Sequence, residues 1–170
     1  NALLDGAIDV IVSPRRKSLP NLVWTKLFTD DLVCIVRRDH PKVGEAISIE
    51  EYCRLAHVLV APGNAPSSLV DDALAADGRT RRVVARVPNF LVAPRLVATT
   101  DYVATVVRKV AEDAVASLPV RIVPCPLPLR ASVVSLGWHE RMQNEPAHAW
   151  FRRELVEVVR AEAKRPAASD

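Results

Sequence analysis

Short apolar, mostly β-branched runs alternate with stretches of helical spacing along this chain, and that alternation constrains its fold more than any other feature. Ala7–Val12, Asp31–Arg37 and His57–Ala61 are runs of this kind, and the first suits a strand buried on both faces, as in an α/β sheet. Val23–Leu27, Arg82–Val87, Tyr102–Val106, Val120–Val123 and Ala131–Trp138 read as further strands. Helices are expected between them. Ser48 stands three residues before Glu51 in a capping-box pattern and opens a helix to Leu55. Ser68–Asp77 carries Leu69, Val70, Ala73 and Leu74 at helical spacing, with Gly78 as its stop. Leu91–Thr99 reads as a helix interrupted near Pro94, Lys109–Ala116 as another, and Pro146–Ala163 as a long amphipathic one with Pro146 in its first turn. Two stiff stretches, Arg38–Pro41 and the segment containing Pro124, Pro126 and Pro128, are the natural crossings between lobes. The expected architecture is therefore α/β, two lobes joined by a hinge. Residues 1–37 and 131–165 would form the first lobe, 38–130 the second, and 166–170 a disordered tail.

Several function classes drop out on composition. Of 170 residues 49% are apolar, enough for a packed core, while 23 basic residues against 20 acidic ones leave a net charge of only +3. The basic residues are scattered apart from Arg15-Arg16-Lys17 and Arg79-Thr80-Arg81-Arg82, too weak a field for nucleic-acid binding by this segment alone. The cysteines, Cys34, Cys53 and Cys125, have no CxxC spacing and no ligand neighbours, and read as buried free thiols in a reducing compartment. No metal or cofactor is expected. The start lacks the basic-then-apolar pattern of a signal peptide, and Val83–Val107, the most apolar stretch, is broken by Arg86, Pro88, Asn89, Pro94, Arg95 and Asp101. A membrane span is thereby excluded and a cytoplasmic location expected. His40, His57, His139 and His148 are spaced too far apart to share one helix face, and they read as structural, with His139 beside Trp138 the nearest to a cleft. Neither a nucleophile-elbow pattern nor a clustered acid/base pair is visible, so no catalytic residue is assigned.

One family matches these residues. Leu4-Asp5-Gly6-Ala7-Ile8-Asp9-Val10, Leu27–Val33, Arg38-Asp39-His40-Pro41, Val87-Pro88-Asn89-Phe90 and Thr100–Thr105 resemble the effector-binding region of LysR-type transcriptional regulators. Gly137-Trp138-His139-Glu140-Arg141 and Glu145-Pro146-Ala147-His148-Ala149-Trp150-Phe151-Arg152 are similar to the branch of nodulation regulators and nitroaromatic- or salicylate-responsive regulators. The resemblance implies a two-lobed type 2 periplasmic-binding-protein-like fold with an effector held between the lobes. It also implies promoter DNA reached only through a separate N-terminal domain, a homo-oligomer at full length, and no contact with membrane. The chain departs from the family at Ala104-Thr105-Val106-Val107, where relatives often place a proline last. On the family pattern the chain begins at the third strand, so an incomplete first lobe is expected. A solute-binding protein of a transport system with the same fold is the alternative.

Candidate effector contacts follow from the loops at strand ends. Ser13, Pro14 and Arg15 follow the first strand, Asn64, Ser67 and Ser68 precede a helix amino end, and Asn89 and Phe90 follow Val87. An aromatic carboxylate would take Arg15 as its charge partner, Asn89 or Ser67 as donor and Phe90 as apolar wall, with Trp138 and His139 nearby. Ser67 or Ser68 reads equally well as a helix cap, Arg15 as a solvated charge and Phe90 as core. Asn89 stands out because a polar residue between Pro88 and Phe90 has no evident structural task.

Overall fold

The computed structural model describes residues 2–14, 20–61 and 68–163. Its chain divides into two compact units, residues 1–30 with 132–170, and residues 31–131.

The first unit holds strands β1 (Val10–Pro14), β2 (Leu22–Asp30) and β8 (Ser132–His139) and helix α5 (Pro146–Ala163). The strands form an antiparallel sheet in the order β1-β8-β2, with Trp138 opposite both Val10 and Val23. Leu27, Leu136 and Trp138 are its buried core, closed by Leu155, Val156 and Val159 of α5. Helix α5 starts where expected, because Pro146 needs no hydrogen-bond partner in a first turn and the Glu145 carboxylate accepts the N–H groups of Ala147 and His148. On the other sheet face the Trp24 ring lies over Gly137, whose missing side chain leaves room: a β carbon there would stand 2.5 Å from the ring. The expectation for the first strand fails in two ways. Val12 is 51% exposed, because β1 is an outer strand among the described residues and its sheet covers it incompletely. Ser13 and Pro14, expected in a loop, are paired with Ser135 and Val134, a position an outer strand tolerates for proline.

The second unit is a five-stranded sheet in the order β5-β4-β6-β3-β7. Its strands are β3 (Leu32–Arg37), β4 (Ala56–Val60), β5 (Arg82–Val87), β6 (Tyr102–Val107) and β7 (Val120–Val123). β4, β5 and β6 are parallel; β3 runs antiparallel to β6 and β7. Alternation along each strand sends side chains to two separate cores. Val33, Ile35, Ala104 and Val106 pack with α3 (Val92–Ala98) and α4 (Arg108–Ser117), while Cys34, Val36, Val103 and Val123 pack with α1 (Ile49–Arg54) and α2 (Leu69–Ala76). The capping box at Ser48 forms as the spacing predicts, and Gly78 adopts φ +64° just past the end of α2. Pro94 does not interrupt its helix. It is the third residue of α3, in the first turn, where a proline costs no backbone bond.

Strand β3 joins the second unit rather than the first, which moves the division from Arg37 back to Asp30. Its ladder with β6 and β7 decides this. The chain thus passes between units at Asp30–Asp31 and Ala131–Ser132, not at Arg38–Pro41, and the first-unit residues at these points, Asp30 and Ser132, are paired across β2 and β8. Arg38–Pro41 is held within the second unit: Arg38 N–H donates to the Pro119 carbonyl, and Arg121 donates to the carbonyls of Arg38, Val43 and Gly44. The expected tail at 166–170 lies outside the described residues. No helix among the described residues is long and apolar enough to cross a membrane.

Helix α2 offers a direct test of this packing, since Leu74 is fully buried and Leu69 is 61% exposed. Leu74→Ala should destabilise the second unit by about 2–5 kcal/mol in urea unfolding, and Leu69→Ala by less than about 0.5 kcal/mol.

Candidate functional site

The parallel strands β4, β5 and β6 end on the same edge of their sheet, and in open α/β sheets that edge is where ligands are held. A cavity of ≈ 120 Å³ lies there. Leu32, Val58, Val60 and Phe90 give it apolar walls, and Ser68, Arg81 and Thr105 are its polar groups. Phe90 stands three residues past the end of β5, and Ser68 is the N-cap of α2.

Arg81 organises the polar side. Its side chain is 2% exposed, and its Nε donates to Asp71 Oδ1 at 2.8 Å. Nη2 donates to Ser68 Oγ at 3.1 Å, and Nη1 to Tyr52 Oη and His57 Nδ1, each at 3.4 Å. Both carboxylate oxygens of Asp71 are used, since Oδ2 accepts from Ser68 Oγ and the Ser68 N–H, closing a capping box with an aspartate in the third position. One guanidinium thus ties together α1, the start of β4 and the amino end of α2. Burial works to raise the Asp71 pKa, but the hydrogen bonds from Arg81 and Ser68 outweigh it and hold the carboxyl below its ordinary value.

Protons in this cluster have assignable places. Because Arg81 donates to His57 Nδ1, the imidazole carries its proton on Nε2 and donates it to the Tyr52 carbonyl at 2.8 Å. Burial is the largest influence on His57 and pushes its pKa down to about 4, so the ring is neutral. Burial likewise pushes the Tyr52 phenol up, keeping it protonated. Tyr52 Oη accepts from Arg81 and is hydrogen-bonded to Thr105 Oγ1 at 2.7 Å, and Thr105 Oγ1 in turn stands 3.7 Å from Cys34 Sγ.

Of the described residues expected from sequence, Phe90 and Ser68 line this cavity. Asn89 has a structural task after all: its Oδ1 accepts the N–H groups of Leu91 and Val92 at the start of α3. Trp138 is 5% exposed in the first-unit core, its Nε1 donating to Gln143 Oε1 and its face covered by the Arg152 guanidinium 4.5 Å away. His139 Nδ1 caps the turn after β8 by accepting the Arg141 N–H. The other histidines are also bonded to backbone: His40 Nε2 to the Asp101 carbonyl and His148 Nε2 to that of Asp9. Ser13 donates to the Pro14 carbonyl from within β1. Arg15, Asn64 and Ser67 lie outside the described residues. Arg81 and Tyr52 were not found from sequence, because the basic cluster Arg79–Arg82 reads as surface charge until the fold buries one member of it.

A larger groove of ≈ 490 Å³ runs along α5 in the first unit, between Thr25, Trp138 and an exposed rim of Arg153, Glu157 and Arg160. Its least exposed polar groups, buried Trp138 and half-buried Arg152, already have protein partners. The cavity at the strand ends therefore makes the better candidate. Among the described residues no group of histidine, cysteine, aspartate and glutamate could hold a metal ion.

Comparison with known proteins gives a consistent picture. The family model described as LysR substrate binding domain matches residues 1–160. The regulator SyrM of Rhizobium meliloti (strain 1021) is 33% identical over 157 residues, covering 91% of this chain and 48% of its own length. The activator NagR of a Ralstonia species is 28% identical over 153 residues, 90% of this chain and 51% of its own. Nodulation protein D 2 of Rhizobium tropici, also 28% identical, belongs with them to the branch the motifs resemble. The chain spans about half the length of these curated relatives. Among solved structures, the regulatory domain of MexT, a transcriptional activator in Pseudomonas aeruginosa, superposes with a TM-score of 0.78 at 29% identity, covering 92% of this chain and 75% of that one. The effector-binding domain of QuiR, solved with shikimate, shares the fold at a TM-score of 0.76 and 15% identity, covering 94% of this chain and 76% of that one.

Two outcomes test the Arg81 cluster. Arg81→Ala, which leaves Asp71, Tyr52 and His57 without their common donor, should cost about 3 kcal/mol in urea unfolding, and Arg81→Lys should recover only part of it. His57 binds its proton less readily folded than unfolded, so its contribution to stability is complete above pH 6.5 and falls as pH drops towards 4. The loss over that window should be on the order of 3 kcal/mol larger in the wild-type chain than in His57→Gln.

Proposed function

This chain belongs to the LysR substrate-binding domain family, and we propose that it is the effector-sensing part of a bacterial transcriptional regulator. Its ligand is a small organic acid, in our reading an aromatic one, seated at the carboxyl ends of β4, β5 and β6. The observation that carries the reading is the cavity itself, in which Phe90 supplies a face for a ring while Ser68 and Thr105 supply hydroxyls. Arg81 acts there less as a charge partner than as the group that orders those hydroxyls, since four of its five donors are already engaged with Asp71, Ser68, Tyr52 and His57. Ser68 is engaged as well, its hydroxyl and N–H both donating to Asp71, so the carboxylate would rest on Thr105 and on residues contributed from elsewhere.

Sensing then follows from population shift. A ligand that binds one arrangement of the two units better than another favours it by that difference in affinity. The chain joins the units twice, at Asp30–Asp31 and Ala131–Ser132, so a change at one connection is shared by the other. In the full-length protein we place promoter DNA on a separate N-terminal domain, the working form as a homo-oligomer and the location in the cytoplasm. The chain is a sensor and not a catalyst, in keeping with its regulator relatives.

The test is a thermal-shift and calorimetric screen of the full-length regulator against benzoate, salicylate, nitroaromatic acids and flavonoids. One of these should stabilise it by about 2.7 kcal/mol at a hundredfold excess over Kd. Phe90→Ala and Thr105→Val should each weaken that ligand about tenfold. Failure of every small acid to stabilise the protein would overturn the reading.

A further inference from the structure

Cys34 and Cys125 sit together in the core that packs α1 and α2 against the sheet, and neither is used by the effector cavity. Cys34 lies on β3 opposite Val123, the last residue of β7, and Cys125 follows two residues further on, just past the end of that pairing. Both side chains belong to that one core, Cys34 among its buried residues and Cys125 packed against it. Cys34 is fully buried, and Cys125 is only partly so.

We propose that these two residues form an oxidisable thiol pair, Cys125 as the nucleophile and Cys34 as the resolving thiol, which a hydroperoxide converts to an intramolecular disulfide. In the first step the Cys125 thiolate attacks the peroxide, the O–O bond breaks, and Cys125 becomes a sulfenic acid as the alcohol or water leaves. In the second, the Cys34 sulfur attacks Cys125, the S–S bond forms, and the hydroxyl leaves as water with the Cys34 proton. Two thiols are oxidised and one peroxide is reduced.

The surroundings suit the two roles. The neighbouring Cys34 thiol is the largest influence on Cys125 and, with the Leu127 N–H and the Arg81 charge, outweighs burial to bring its pKa down to about 7. Cys34 is pushed the other way by Cys125 and by burial, so it keeps the proton that must leave with water. Closure needs the β carbons about 4 Å apart. The chain beyond Val123 has left the β3–β7 ladder, so it is Cys125 that moves. The pair would thereby tether the segment Pro124–Ala131, which leads to the second connection between units.

The three cysteines fall on separate tryptic peptides, bounded by Lys26 and Arg37, Lys42 and Arg54, and Arg121 and Arg130. The test is intact-mass and peptide mapping of the folded chain after one equivalent of hydrogen peroxide. The expected result is a loss of about 2 Da with the Cys34 and Cys125 peptides joined, unchanged in Cys53→Ser and abolished in Cys125→Ser. Cys34→Ser should instead accumulate oxygen on Cys125, a gain of about 16 or 32 Da. Circular dichroism confirms that each variant is folded, and the wild-type map stands without them. A joined peptide containing Cys53, or oxygenated Cys125 in the wild-type chain without a joined peptide, would overturn the proposal.

Discussion

The second unit is arranged around a single buried cation. Arg81 lies at the start of the β5 segment, yet its guanidinium reaches α1 through Tyr52, β4 through His57 and α2 through Ser68 and Asp71. A guanidinium taken out of water is costly unless its donors find partners, and here four of its five N–H groups are met by groups from three elements at once. That requirement fixes the amino end of α2 relative to β4, and hence the position of Ser68 at the cavity. The apolar part of the core would accept several placements of α2; the arginine accepts few.

The cavity inherits its character from this arrangement. Tyr52 takes a hydrogen bond from Arg81 and shares another with Thr105, so the threonine hydroxyl is held before any ligand arrives. Preorganisation of this kind lets a weak donor contribute to affinity, because no rotor has to be ordered on binding. The same chain of hydrogen bonds continues to Cys34, which places the thiol pair one contact away from the polar floor. The proposed ligand site and the proposed thiol pair thus meet at Thr105.

The strand and helix pattern was legible in the sequence because it depends on local periodicity. Arg82–Val87, Val120–Val123 and Pro146–Ala163 form over the residues expected, and the capping box at Ser48 was visible as a spacing. Assignment of β3 to a unit was not, since a strand's partners are a matter of long-range pairing and Leu32–Arg37 would suit either sheet. Asn89 misled because a side chain accepting two backbone N–H groups cannot be told from a free one before the start of α3 is known. Arg81 was overlooked for the opposite reason. Three arginines in four residues look solvated, and only tertiary structure singles out the one whose side chain is 2% exposed.

The central claim is that a small organic acid binds at the carboxyl ends of β4, β5 and β6. Titration of the isotope-labelled full-length regulator with its stabilising acid, followed by amide chemical shifts, tests it most directly. The account predicts saturable shifts concentrated at Ser68, Phe90 and Thr105, with the first-unit groove at Thr25, Trp138 and Arg152 little changed. Shifts confined to that groove, with none at the strand ends, would contradict it.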